Sequence, residues 1–126
     1  MKTNGKLFLF ERSKDAAEKR MKELGESGWT VESEVEEGSR GCRNCKAFAP
    51  DVVVFDLAIK PSHSREAGRA LRQFKPLRET PFVFVDGTEE DLAKTKEKVP
   101  GAVFTSSGKL TKILSGLTAT VAAKSA

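Results

Sequence analysis

Pro50-Asp51-Val52-Val53-Val54-Phe55-Asp56-Leu57 places four β-prone apolar residues in an unbroken run that ends on an acid. A run this short suits a strand buried on both faces, as in a parallel sheet covered by helices. Such a strand delivers its last residue, Asp56, to the carboxyl edge of the sheet. Open α/β folds place their ligands at that edge.

Working upstream, Lys6-Leu7-Phe8-Leu9-Phe10 is a first apolar strand that ends on Glu11-Arg12. Ser13 is a cap for a helix to about Leu24, with Ala17, Met21 and Leu24 on one face and Gly25 as its stop. Trp29–Val35 alternates apolar and polar, as a strand near a sheet edge does. Glu36-Glu37-Gly38-Ser39 reads as loop. A short helix carrying Cys42, Cys45 and Phe48 must end before Pro50, because the residue preceding a proline avoids the helical region.

Downstream, Leu57–His63 reads as loop, and Ser64 as the cap of a helix that turns Ala67, Ala70, Leu71 and Phe74 inward. Pro81–Val85 is a fourth strand ending on Asp86-Gly87. Thr88-Glu89-Glu90-Asp91 has the form of a capping box, and the helix it opens stops by Pro100-Gly101. Ala102–Thr105 is a weaker fifth strand. Leu110, Ile113, Leu114, Leu117 and Val121 recur at helical spacing, and Ala122–Ala126 are expected to fray.

Strand and helix alternate five times. That order demands a mainly parallel sheet with helices on both faces and right-handed crossovers. At 126 residues the expected fold is a single α/β domain, flavodoxin-like and doubly wound, with five parallel strands in the order 2-1-3-4-5 and a core from about residue 6 to 117. No Gly-rich phosphate loop follows the first strand, which argues against Rossmann and P-loop functions.

Apolar residues make up 38% of the chain and charged residues 32%, the balance of a soluble globular protein. No apolar run approaches the ~20 residues that span a bilayer. No apolar signal-peptide segment opens the chain, so a cytoplasmic location is expected. The net charge of +4 is spread over helices where Lys and Arg alternate with Glu and Asp, as in Lys14–Glu23, Arg65–Arg78 and Glu89–Lys98. Such segments read as solvated faces, so neither nucleic acid nor membrane is an expected partner.

The strand ends bring Glu11-Arg12, Asp56, Asp86-Gly87 and Ser106-Ser107-Gly108-Lys109 to one edge. Here the chain resembles the receiver domain of bacterial response regulators, the phospho-accepting module of two-component signalling. Pro50–Leu57 resembles that family's Pro-Asp-apolar-Asp segment. Ala70-Leu71-Arg72 with Thr80–Val85 is similar to its third helix and fourth strand, and Gly101-Ala102 to the opening of its fifth strand. Asp56 stands 45 positions after Glu11, 30 before Asp86 and 45 before Gly101, spacings that keep the family's register.

The resemblance implies that Asp56 is the phospho-acceptor position. It also implies a Mg²⁺ site made by an acidic pair and that aspartate, with a Thr or Ser on the fourth strand and a Lys on the fifth contacting the phosphoryl oxygens. In this chain the acidic pair is Glu11-Arg12, the Thr/Ser position is Asp86, and the Lys position falls on Gly108 beside Lys109. The loop proline is displaced to Pro61. Glu11 and Asp56 alone are left for a weak or lost Mg²⁺ site, since Mg²⁺ demands near-octahedral oxygen ligands. The Arg12 guanidinium is placed to pair with Asp56 in the metal's stead. Asp86 sets a negative charge where an incoming phosphoryl group needs a donor.

The expected function is therefore that of an atypical, stand-alone receiver, not an enzyme and with no tightly held cofactor. It would work as a monomer or weak homodimer, through a protein partner such as a histidine kinase or a downstream effector. The surface implied by the resemblance spans about residues 88–117. The competing reading is a thioredoxin-like dithiol oxidoreductase using Cys42 and Cys45, whose Cys-x-x-Cys spacing is a redox arrangement when it opens a helix. Against it, Pro50 and the strand at Val52 leave no room for the long helix such a motif needs. The two cysteines are expected inward with Phe48, and His63 is expected to be solvated.

Overall fold

The computed structural model describes residues 5–11, 13–35, 38–58 and 60–125. Five strands form one sheet: β1 Gly5–Phe10, β2 Trp29–Glu34, β3 Val52–Asp56, β4 Phe82–Val85 and β5 Val103–Thr105. Every pairing is parallel and the order is β2-β1-β3-β4-β5, as the alternation of elements demanded. Five helices cover the faces: α1 Lys14–Glu26, α2 Gly38–Phe48, α3 Pro61–Arg72, α4 Glu89–Lys98 and α5 Leu110–Ser125.

The alternation of side chains along each strand splits the core in two. One face carries Phe8, Phe10, Val53, Phe55, Phe82 and Phe84, packed with Cys45, Ala67, Leu71 and Val99 from α2, α3 and the end of α4. The other carries Leu7, Leu9, Val52, Val54, Val83 and Val85, against Leu24 of α1 and Leu110 and Leu114 of α5. Register aligns Phe10, Phe55, Phe84 and Phe104 in one row across four strands. Phe55 stacks on Phe10 at 5.1 Å and on Phe84 at 4.5 Å, ring to ring. Each such pair contributes roughly 0.5–1.5 kcal/mol beyond the area it buries. Gly68 lets α3 approach this row, since a Cβ there would stand 2.9 Å from Phe84.

Several local readings need correction. Gly25 does not stop α1, which runs on to Glu26; the left-handed turn falls at Gly28 instead. Gly38 and Ser39 are not loop but the first turn of α2. Ser64 is not a cap. The helix begins three residues earlier, with Pro61 at its first position, where a missing N–H has no consequence. His63 therefore lies in the first turn of α3, exposed, and not in a loop. Ala70 faces outward, and Gly68 takes its place in the buried stripe. The backbone of α5 stays helical through Ser125, past the expected fraying point.

Candidate functional site

The carboxyl edge gathers three carboxylates, each delivered by a strand end. Glu11 follows β1, and its side chain has no exposure to solvent. Asp56 is the last residue of β3 and is 3% exposed. Its Oδ1 accepts the backbone N–H of Ala58 at 2.6 Å, and its carbonyl accepts the hydroxyl of Ser64 at 2.6 Å. Asp86 follows β4 in the left-handed region, at φ +62°, and Gly87 continues the turn at φ +101°. A side chain at Gly87 would meet Leu57 at 2.9 Å, so both the backbone angle and the space call for glycine there.

Arg20, from the middle of α1, lies among these acids. Its Nε donates to Glu11 Oε2 at 3.1 Å. One terminal nitrogen stands 3.4 Å from Asp56 Oδ2 and 3.7 Å from Asp86 Oδ2, and donates to Ser107 Oγ at 3.0 Å. Ser107 closes the ring: its backbone N–H reaches Asp86 Oδ1 at 3.0 Å and its hydroxyl donates to Asp86 Oδ2 at 2.6 Å. One guanidinium thus bridges β1, β3, the β4 turn and the start of the segment leading into α5.

The reach follows from helix geometry. α1 starts at the carboxyl edge, directly after β1, and helical side chains lean toward their helix N-terminus. A long cation two turns into α1 on its inner border therefore points back to the strand ends. Arg20 is three residues after Ala17 and four before Leu24, both buried, which puts it beside the inward stripe. That position was the available signal. The alternating charges of Lys14–Glu23 masked it, and the solvated-face reading fails at this residue, whose side chain is only 12% exposed.

The other expected residues fall as follows. Arg12, assigned the guanidinium role in the sequence reading, lies outside the described residues, and Arg20 fills that place. Gly108 and Lys109 are exposed in a short 3₁₀ turn, and among the described residues Lys109 makes no ion pair. It is Ser107 that reaches Asp86 and Arg20. Grooves of about 380 Å³ and 350 Å³ flank the ring, the first beside α1 at Lys19, Arg20 and Gly108, the second between Gly87, Leu92 and Phe104.

Mg²⁺ does not fit this arrangement. Its oxygen ligands stand at about 2.0–2.1 Å in an octahedron, whereas the space between Glu11, Asp56 and Asp86 holds a guanidinium. Among the described residues, no three His, Cys, Asp or Glu side chains are arranged to hold a metal ion.

The cysteines lie apart from the edge. Cys42 and Cys45 are free thiols on the inner side of α2, with Cys45 fully buried in the phenylalanine core. Burial raises the Cys42 thiol against the opposing pull of Lys46, and pushes Cys45 up to about 12. α2 begins at Gly38, so Cys42 is not at its N-terminus and receives no activation from the helix end. Both features run against the dithiol reading.

No protein-family model matches the chain, and no curated protein matches it. Solved structures do. The chemotaxis protein CheY4 of Vibrio cholerae superposes with a TM-score of 0.77 at 16% identity, over 93% of this chain and 99% of that one. The signal receiver domain of a signal transduction histidine kinase from Syntrophus aciditrophicus gives 0.77 at 20% identity, over 93% and 92%. A Francisella response regulator receiver domain gives 0.73 at 16%, over 93% and 98%. At such identities the likeness is one of fold: the chain has the fold of a receiver domain, and its carboxyl edge holds Asp56 among two further carboxylates and a guanidinium.

Proposed function

We propose that this protein is an atypical receiver-like signalling module that acts by presenting a surface to a protein partner, without passing through a phosphorylated state. The observation that carries the reading is the seat of Arg20 between Glu11, Asp56 and Asp86. Phosphoryl transfer depends on a metal ion and fixed donors that offset the charge of the transferring group. Here a guanidinium takes the metal's space, and Asp86 supplies negative charge where a hydroxyl would donate. Both oxygens of Asp56 are engaged, one by the Ala58 N–H and one by Arg20.

The structural neighbours include a chemotaxis protein and a receiver domain of a histidine kinase, which supports a kinase or a downstream effector as the partner. The surface is formed by α4, β5 and α5 within residues 88–117. There Leu92, Ala102, Val103, Phe104 and Leu117 are apolar and only partly covered. No helix among the described residues is long and apolar enough to cross a membrane, in keeping with a cytoplasmic module.

Incubation with acetyl phosphate and Mg²⁺, read by intact mass, tests the phosphorylation part of the reading. The expected result is no gain in mass. A phosphoryl adduct present in the wild type and lost in Asp56→Asn would overturn it.

A further inference from the structure

We propose that Arg20 is a built-in cation that replaces a divalent metal at the carboxyl edge and sets two segments of the partner-facing surface in one arrangement, one just before α4 and one inside the surface just before α5. The inference rests on the reading of that surface given above, and it assigns the residue that holds it.

Two linked connections carry it. Asp86 stands two residues before Thr88, the N-cap of α4, so whatever fixes Asp86 fixes the start of that helix. Ser107 opens the turn that leads into α5 at Leu110. Arg20 touches both residues, at 3.7 Å and 3.0 Å, and they are bonded to each other through two hydrogen bonds. The same guanidinium is anchored below by Glu11 and Asp56, which are buried and lie at the ends of the central strands. A cation held by acids at the ends of β1 and β3 thus reaches the partner-facing surface at its start before α4 and within it before α5.

The backbone at Asp86 adds to the argument. A non-glycine residue in the left-handed region persists when its surroundings over-determine it. Here its carboxylate is held by Ser107 and Arg20, and its own N–H donates to the Thr105 carbonyl at 2.9 Å. The arrangement is therefore fixed from within and needs no exogenous ion. Arg20 acts as a positioning residue: its effect on the surface passes through Asp86 and Ser107.

Hydrogen exchange on the full chain, with and without millimolar Mg²⁺ or Mn²⁺, tests this. Arg20→Gln should raise exchange about tenfold at residues 86–91 and 107–110, the change expected on losing a charge-assisted hydrogen bond. Arg20→Lys should restore part of the protection. With the guanidinium gone, the divalent ion should slow exchange again in Arg20→Gln, and Asp56→Asn added to that variant should abolish the response. The wild type should be indifferent to the ion. A side chain that merely packs α1 would give no response to a divalent ion.

Loosening confined to α1, or a wild type protected by Mg²⁺ as strongly as the variant, would overturn the proposal. Ser107→Ala, an exposed change that keeps Arg20, gives a check that does not depend on the Arg20 variants folding. It should loosen the same two segments, and unchanged exchange there would also overturn the proposal. Failure of the surface reading is seen separately, as a partner footprint outside residues 88–117 with the exchange results intact.

Discussion

At Cys45 the thiol lies fully buried beneath α2, and its deprotonation is pushed up to about 12, first by burial and then by the neighbouring Cys42. The unfolded chain gives up this proton near 9.0, so between about 9 and 12 the folded state binds more protons than the unfolded one. Stability contributed by the neutral thiol is therefore complete below pH 9 and lost as pH rises through that window. Urea midpoints measured across the window should fall with pH in the wild type and fall less steeply in Cys45→Ala. The same burial keeps both thiols protonated near neutral pH, where a dithiol catalyst needs a thiolate. Arg20 is the opposite case, a charged group drawn inward because three acids await it. Its worth cannot be read from its own helix.

For α3, the informative feature is where the helix begins. Ser64 has the composition of a cap yet sits in the second turn, buried, with its hydroxyl donated to the Asp56 carbonyl at 2.6 Å. Pro61 starts the helix instead, and Ser64 ties it to the end of β3 beside the candidate site. Ser64→Ala should lower stability by about 1–3 kcal/mol, the range for leaving a buried partner unsatisfied. Helix content by circular dichroism should be unchanged; a loss of one turn would mean that Ser64 caps α3 after all. α4 behaves as its composition suggests, because Thr88 and Asp91 cap each other within one turn and need nothing from elsewhere.

Across the whole molecule, the sheet converts sequence-distant acids into one charge cluster, and α1 supplies the counter-charge. A receiver-like fold of this kind should be insensitive to divalent ions. Thermal unfolding of the wild type in Mg²⁺ and in a chelator should give the same midpoint. A clear upward shift with Mg²⁺ would show that the ion displaces Arg20, since a ligand that binds the folded state alone raises stability with its concentration.

The five-fold strand–helix alternation, the buried run at Val52–Asp56 and the capping box at Thr88 were legible in the chain itself. Each depends on hydrophobic period or on groups a few residues apart, so local chemistry determines them. The carboxyl-edge positions of Glu11, Asp56 and Asp86 were legible too, once strand ends in a parallel sheet were known to converge. The cation among them was not. Arg20 is nine residues from Glu11, 36 from Asp56 and 87 from Ser107, and its helix face resembles any other mixed-charge surface. Only the packing of α1 on the sheet decides which of its cations points at the strand ends. For the same reason Ser107, and not Lys109, meets Asp86: the short turn before α5 sets which residue faces it, and no local pattern encodes that. The sequence by itself determined the scaffold, through period and capping; the tertiary structure alone decided the occupant of its edge, because long-range electrostatic pairing is set by three-dimensional proximity.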